Sequence, residues 1–168
     1  MIVGDGRAMR RAVSFLLLLL VAAPATARER IGQYAGWGAF RDEEPARCFA
    51  IARPLWRKKH DPSFADITAT PGGGPRQFHV RLSRTPRVGE PVTLAIGDRQ
   101  FTLLVRGSDA WGRNAREDGR IIAAARGGKQ MVVTARRTNG RRFRDFYALA
   151  GAASAIDAVT VACLQPRR

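Results

Sequence analysis

The side chains that could move a proton are few and spread along the chain: His60, Asp61, Asp66, His79, Glu90 and Asp98. Two carboxyl groups about 5–10 Å apart can cleave a glycan, but no spacing in the sequence indicates such a pair. His79 falls on the polar side of an alternating strand pattern, and His60-Asp61 falls in a proline-containing loop. We therefore expect solvated side chains at these positions and no catalytic centre.

Motifs of the common hydrolases are also missing from the sequence. It contains neither Gly-x-Ser-x-Gly nor His-Glu-x-x-His, the patterns that position a serine nucleophile or a zinc ion. The loop Pro71-Gly72-Gly73-Gly74-Pro75 lacks the Gly-Lys-Ser/Thr ending of a phosphate loop. His60 and His79 have no metal-ligand spacing relative to the two cysteines. We expect no enzymatic activity, no metal and no cofactor.

Arginines near the end of the chain carry the clearest chemical signal. They are Arg136, Arg137, Arg141, Arg142 and Arg144, and Asp145 is the only acid among them. Planar guanidinium groups bind phosphate and carboxylate through two parallel hydrogen bonds. The sequence therefore predicts an anion-binding site here, and a solvated basic tip without a ligand is the alternative.

A hairpin is predicted to position these arginines. Asn139-Gly140 favours a two-residue type I′ turn, which would pair residues 129–138 with 141–149. The expected opposite pairs are Val133 with Phe146, Val132 with Tyr147, and Arg137 with Arg142. Two arginines placed opposite one another cost stability, and an anion that bridges their guanidinium groups would offset this cost.

Other segments also read as short strands and helices. A second hairpin turns at Gly97-Asp98, so that Leu94 faces Phe101 and Val92 faces Leu103. Further strands are predicted at 34–40, 47–52, 64–70 and 77–83. One helix is predicted over 119–126 with Asp118 as its cap, and another over 152–159. Because strands do not alternate with long helices, we expect an antiparallel sandwich or barrel.

The three tryptophans are expected in two different environments. Trp37 and Trp111 lie among small residues and are predicted to fill the core. Trp56 follows Pro54 and Leu55 and is the best candidate for an exposed ring.

The first 27 residues have the features of a cleaved signal peptide. Arg7, Arg10 and Arg11 precede an apolar run centred on 16–20, and Ala25-Thr26-Ala27 fits the signal peptidase pattern. The apolar run is too short for a membrane-spanning helix, which needs about 20 residues. Translation could start at Met1 or at Met9. The predicted mature protein is residues 28–168, a single domain that is periplasmic or secreted and has no transmembrane anchor.

The chain carries a formal charge of +15, and the leader contributes +2 of it. Such a charge indicates anionic surroundings or partners, although a genome of high GC content, which favours arginine codons, would also produce a basic, solvated surface. Aromatic residues interleaved with basic ones are typical of nucleic-acid binding as well. Export argues against nucleic acid as the physiological partner.

Cys48 and Cys163 are the only cysteines. Two cysteines in an exported chain predict one disulfide, and two buried thiols are the alternative.

Several dispersed segments resemble the invasion-associated locus B family of proteobacterial envelope proteins. They are Trp37, Cys48-Phe49-Ala50-Ile51, residues 92–96, Trp111 followed by 121–127, the stretch 145–152, and Ala155-Ile156-Asp157-Ala158. The resemblance implies export and an immunoglobulin-like β-sandwich, and it brings no catalytic residues.

These observations together predict a non-enzymatic envelope or secreted binding module. Its basic surface would contact an anionic envelope polymer, lipid headgroups, or a host or other protein partner. A periplasmic hydrolase of cell-wall or envelope polymers is the alternative function.

Overall fold

The computed structural model describes residues 28–56 and 61–164, so the predicted signal peptide lies outside the described residues. The described part contains ten strands and two helices. In chain order they are β1 (Glu29–Tyr34), β2 (Trp37–Asp42), β3 (Arg47–Ala52), β4 (Phe64–Ala69), β5 (Gln77–Arg81), β6 (Val92–Ile96), β7 (Arg99–Arg106), β8 (Asp109–Trp111), α1 (Ala115–Gly127), β9 (Gln130–Arg136), β10 (Arg142–Ala148) and α2 (Ala152–Leu164).

All ten strands form one antiparallel sheet in the order β1-β2-β3-β4-β5-β8-β7-β6-β9-β10. Strand β7 joins the two halves of this sheet, because its first part pairs with β6 and its last part pairs with β8. Beyond β3, the N–H of Leu55 donates to the carbonyl of Phe146 in β10 at 2.7 Å, which brings the two halves together. The predicted mainly β, antiparallel sandwich with two helices is confirmed, and its layers belong to one continuous sheet.

One hydrophobic core is formed by residues from both halves of the sheet and from both helices. Phe78, Val80 and Leu82 alternate into it from β5 and the following residue, as their spacing predicts. Trp37 is fully buried, as predicted, and its indole Nε1 donates to the carbonyl of Ala148 at 2.9 Å. This bond satisfies the one polar atom of the ring inside the core.

The strand predicted over 34–40 is in fact interrupted. Strand β1 ends at Tyr34, a turn at Ala35 and Gly36 reverses the chain, and β2 begins at Trp37. Ala35 adopts a φ of 47°, which is in the left-handed region. The sequence pattern of residues 34–40 therefore does not indicate the tight turn that separates β1 from β2.

The two predicted hairpins have different outcomes. In the first, Leu94 faces Phe101 and Val92 faces Leu103, as predicted. In the second, the predicted register is wrong by one residue: Val132 faces Phe146, Met131 faces Tyr147, Val133 faces Asp145, and Arg136 faces Arg142.

The cause of this shift is a longer turn. Thr138, Asn139 and Gly140 form a three-residue loop, closed by a hydrogen bond from the N–H of Arg137 to the carbonyl of Arg141. Gly140 has a φ of 78°, the left-handed conformation that such loops require at their last position.

Both predicted helices are present and both are longer than expected. The predicted cap of α1, Asp118, is wrong: Asn114 is the cap, and its side-chain oxygen accepts from the N–H of Glu117 at 3.0 Å. Asp118 is instead buried, and it accepts from the N–H of Phe78 in β5 at 3.3 Å. This contact fixes the first turn of α1 to the sheet.

Helix α2 packs on β1, β2, β3 and β4. Its predicted apolar stripe of Ala152, Ala155, Ile156 and Val159 is buried. The predicted disulfide is confirmed: Cys163 in the last turn bonds to Cys48 in β3, with a Cα–Cα distance of 5.8 Å. No helix among the described residues has the length and apolar character needed to cross a membrane.

Candidate functional site

The five arginines predicted to bind an anion, Arg136, Arg137, Arg141, Arg142 and Arg144, surround the tip of the β9–β10 hairpin and are called the basic hairpin from here on. Strand alternation buries Phe143, Asp145 and Tyr147 on the inner face of β10. Arg142 and Arg144 therefore lie on the outer face, and the register places Arg136 beside Arg142. All five except the half-buried Arg137 are exposed.

No arginine of the basic hairpin forms an ion pair with an acid of residues 28–56 and 61–164. The arginines that do form such pairs lie elsewhere: Arg28, Arg41, Arg47, Arg81, Arg84, Arg113 and Arg126. Among the described residues, the Arg136 side chain donates only to the carbonyl of Gly140, at 3.1 Å, and Nε of Arg137 is buried and has no hydrogen-bond partner. The basic hairpin thus presents uncompensated positive charge.

Asp145, the one acid within this run of arginines, does not neutralise them. Its side chain is buried on the opposite face of β10, where it accepts from the N–H of Ser83 at 2.9 Å and from the Ser83 hydroxyl. Burial raises the pKa of this carboxyl, and the hydrogen bonds from Ser83 oppose the rise. The apparent mixture of charges in the sequence is therefore separated into two faces.

An exposed tryptophan adjoins the basic hairpin. Trp56, the best candidate for an exposed ring among the three tryptophans, is 72% exposed, and its ring meets Phe146 edge-on at a centroid distance of 5.0 Å. Phe146 is on the outer face of β10, two residues from Arg144. The sequence predicted the exposure of Trp56 but not this neighbour, because only the tertiary bond between Leu55 and Phe146 brings the two segments together.

A second polar cluster lies on the outer face of the other half of the sheet. Cross-strand pairing places His79 of β5 between Asp66 of β4 and Trp111 of β8. Nδ1 of His79 lies 2.7 Å from Asp66, and Nε2 lies 2.9 Å from Asp109. Asp109 also accepts two hydrogen bonds from Arg81, at 2.9 and 3.0 Å.

This geometry favours the charged form of His79. A ring that donates to a carboxylate through each nitrogen must be an imidazolium. Burial opposes the charge, but the hydrogen bonds and charges of Asp66 and Asp109 outweigh it, so the pKa of His79 is raised. The hydrogen bond from Arg81 lowers the pKa of Asp109, although burial opposes this. In this charged form both ring nitrogens donate to carboxylates, and neither has a lone pair with which to act as a base.

The expectation of a solvent-exposed His79 is therefore wrong, since only 17% of its side chain is accessible. Trp111 stacks on its ring at 5.2 Å, and Phe64 meets it edge-on at 5.5 Å. The prediction that Trp111 fills the core is also wrong, because this ring is half-buried on the outer face. A groove of about 580 Å³ lies over these side chains and extends to Arg28 and Arg47.

Among the described residues, no side-chain hydrogen bond or ion pair joins the remaining acid–base candidates, Asp61, Glu90 and Asp98, to one another. His60 lies outside the described residues. Asp61 accepts from the N–H of Ser63 at 2.9 Å and faces Arg84 at 4.0 Å. Across residues 28–56 and 61–164, no three histidine, cysteine or acidic residues are grouped so that they could hold a metal ion.

Comparison with known proteins gives a likeness of fold. No family model matches the chain, and no curated protein matches it. Among solved structures, the chain is similar to the crystal structure of invasion associated protein B from Bartonella henselae, with a TM-score of 0.64 and 16% sequence identity. The match covers 78% of this chain and 96% of that one. The resemblance read from the sequence is thus confirmed at the level of fold: the chain has the fold of invasion associated protein B.

Proposed function

We propose that this protein is an exported, non-enzymatic binding module that holds anionic groups on its basic hairpin. The observation that carries the proposal is the arrangement of Arg136, Arg142 and Arg144 side by side on one exposed face without an acidic partner among the described residues. Guanidinium groups in this position are free to form bidentate bonds with phosphate or carboxylate oxygens.

Repulsion within the hairpin supports the same function. Arg136 and Arg142 stand directly opposite each other across the two strands, an arrangement that is unfavourable when both side chains carry charge. An anion between the two guanidinium groups would convert this repulsion into two attractive contacts. The hairpin then has a reason to keep both arginines.

The disulfide supports an exported location, periplasmic or secreted, because such bonds persist in oxidising compartments. The likeness of fold to a protein named for invasion fits a module of the cell envelope. The hydrolase alternative gains no support from the acid–base cluster around His79, because both ring nitrogens are bonded to carboxylates.

The test is binding of polyphosphate, a soluble polyanion with no apolar part. Replacing Arg136, Arg142 and Arg144 together with glutamine should weaken binding about tenfold or more, since the loss of even one hydrogen bond between charged groups costs about 1.5–3 kcal/mol. The dependence of affinity on salt should also become shallower, because fewer counterions are displaced. Titration calorimetry over a range of salt concentrations measures both quantities.

The matched control is the triple variant Arg30→Gln, Arg99→Gln and Arg116→Gln. It removes the same charge from exposed arginines outside the hairpin and should lose little affinity. An equal loss in both triple variants would show that net charge alone attracts the anion. Equal affinity in the hairpin variant and the wild type would overturn the proposal.

A further inference from the structure

We propose that the partner of the basic hairpin is a membrane surface rich in anionic lipid, with Leu55 and Trp56 as its apolar anchor. This inference rests on the proposed function and adds the identity of the partner. It draws on three features of one continuous surface: an exposed apolar pair, a row of arginines that have no acidic partner in the described part of the chain, and the β10 backbone that joins them.

The apolar pair is held in a fixed position. The N–H of Leu55 donates to the carbonyl of Phe146 at 2.7 Å, and the Trp56 ring rests edge-on against the Phe146 ring. Leu55 is nevertheless 47% exposed and Trp56 is 72% exposed. The Leu55 backbone and the Trp56 ring are thus anchored on β10, while both side chains remain exposed to water. Pro54, immediately before them, is buried.

The arginines continue the same surface. Every second residue of β10 lies on its outer face, and these residues include Phe146, Arg144 and Arg142. A strand advances about 6.5–7 Å for every two residues. The distance along β10 from Phe146, which contacts Trp56, to Arg142 is therefore only about 13 Å. Arg136 lies beside Arg142 on the neighbouring strand. A single flat partner can contact the apolar pair and these arginines at the same time.

A lipid surface fits this combination better than a soluble polyanion. Tryptophan and leucine favour the boundary between headgroups and acyl chains, whereas a soluble polyanion offers no apolar region to Trp56. Each basic residue near an anionic membrane surface raises affinity about fivefold. The apolar pair alone or the arginines alone would bind a membrane weakly. Acting together, they would attach the protein stably but reversibly.

The experiment compares binding to two kinds of vesicle and to polyphosphate. The vesicles contain either equal parts of phosphatidylglycerol and phosphatidylcholine or phosphatidylcholine alone. The full-length mature protein should sediment with the mixed vesicles and not with pure phosphatidylcholine. Lipids brominated on their acyl chains should quench its tryptophan fluorescence, because Trp56 would lie among them.

The double variant Leu55→Ser, Trp56→Ser should lose at least tenfold affinity for the mixed vesicles and keep its affinity for polyphosphate. The matched control, Leu104→Ser with Val161→Ser, removes two apolar side chains that are 59% and 53% exposed at other sites. It should bind the mixed vesicles like the wild type. The hairpin triple variant should lose affinity for both ligands.

The outcomes separate the two proposals. If the Leu55/Trp56 variant binds mixed vesicles like the wild type, or if the wild type binds polyphosphate and no vesicle, the membrane inference fails and the anion-binding function stands. If the wild type binds neither ligand, both fail. Equal binding to pure phosphatidylcholine would show that the arginines do not select the surface.

Discussion

At the scale of single residues, His79 shows what a strand pattern can and cannot predict. Alternation correctly places it on the outer face of β5, opposite the buried Phe78 and Val80. Its two carboxylate partners come from β4 and β8, 13 and 30 residues away in sequence. Only the pairing order of the strands, which no local pattern contains, brings them to the ring.

Because Asp66 and Asp109 favour the charged form of His79, the stability of the protein should depend on pH through this residue. The pKa of His79 is raised in the folded protein. Its stabilising contribution is therefore complete below the unfolded pKa of about 6.5 and is lost as the pH rises through the higher folded pKa. Wild type should exceed His79→Gln in free energy of unfolding by more at about pH 6 than at about pH 9.

Urea unfolding of both proteins at each pH measures this difference. Comparing the two at the same pH cancels the contributions of titrating groups that do not contact His79. A difference between wild type and variant that stays constant with pH would show that His79 is not held charged by Asp66 and Asp109.

At the scale of elements, the sequence identified most strands and both helices but not how each begins or turns. Asn139-Gly140 correctly marked a hairpin, yet Thr138 joins the loop and shifts the pairing by one residue. The start of α1 carried a usable signal in Asn114 followed three residues later by Glu117, which is a capping-box spacing. Local signals compete at such boundaries, and packing decides between them.

The junction between β10 and α2 depends on a glycine for two separate reasons. Gly151 has a φ of 86°, and a Cβ atom there would overlap the carbonyl oxygen of Tyr34. Gly151→Ala should therefore reduce the free energy of unfolding by about 2–4 kcal/mol, from backbone strain and the displacement of β1. Urea unfolding monitored by circular dichroism measures this loss.

Gly140→Ala provides the control, because Gly140 has a similar φ of 78° but open space around its Cβ position. It should lose only about 1–2 kcal/mol, the cost of the left-handed backbone alone. If the two alanine variants were equally destabilised, close packing against Tyr34 would play no part.

At the scale of the whole molecule, the charges are distributed unevenly. Much of the acid is used in ion pairs away from the basic hairpin, with Asp42 on β2, Asp109 on β8, Glu117 on α1 and Asp157 on α2. The hairpin keeps its positive charge because the acid nearest in sequence, Asp145, is buried on the other face. The sequence predicts the excess of charge, and only the fold shows where it accumulates.

The disulfide acts at this same scale, because it joins β3 near the start of the described chain to the last turn of α2. The bond spans 115 residues, and closing so long a loop restricts the unfolded chain far more than the folded one. Reduction, or the double variant Cys48→Ala, Cys163→Ala, should lower the free energy of unfolding by about 4–5 kcal/mol. Thermal unfolding with and without reductant measures this loss as a lower midpoint.

The double variant serves as the control, since reductant should not change its midpoint. A wild-type midpoint that does not move on reduction would show that α2 is held on β1–β4 by packing alone.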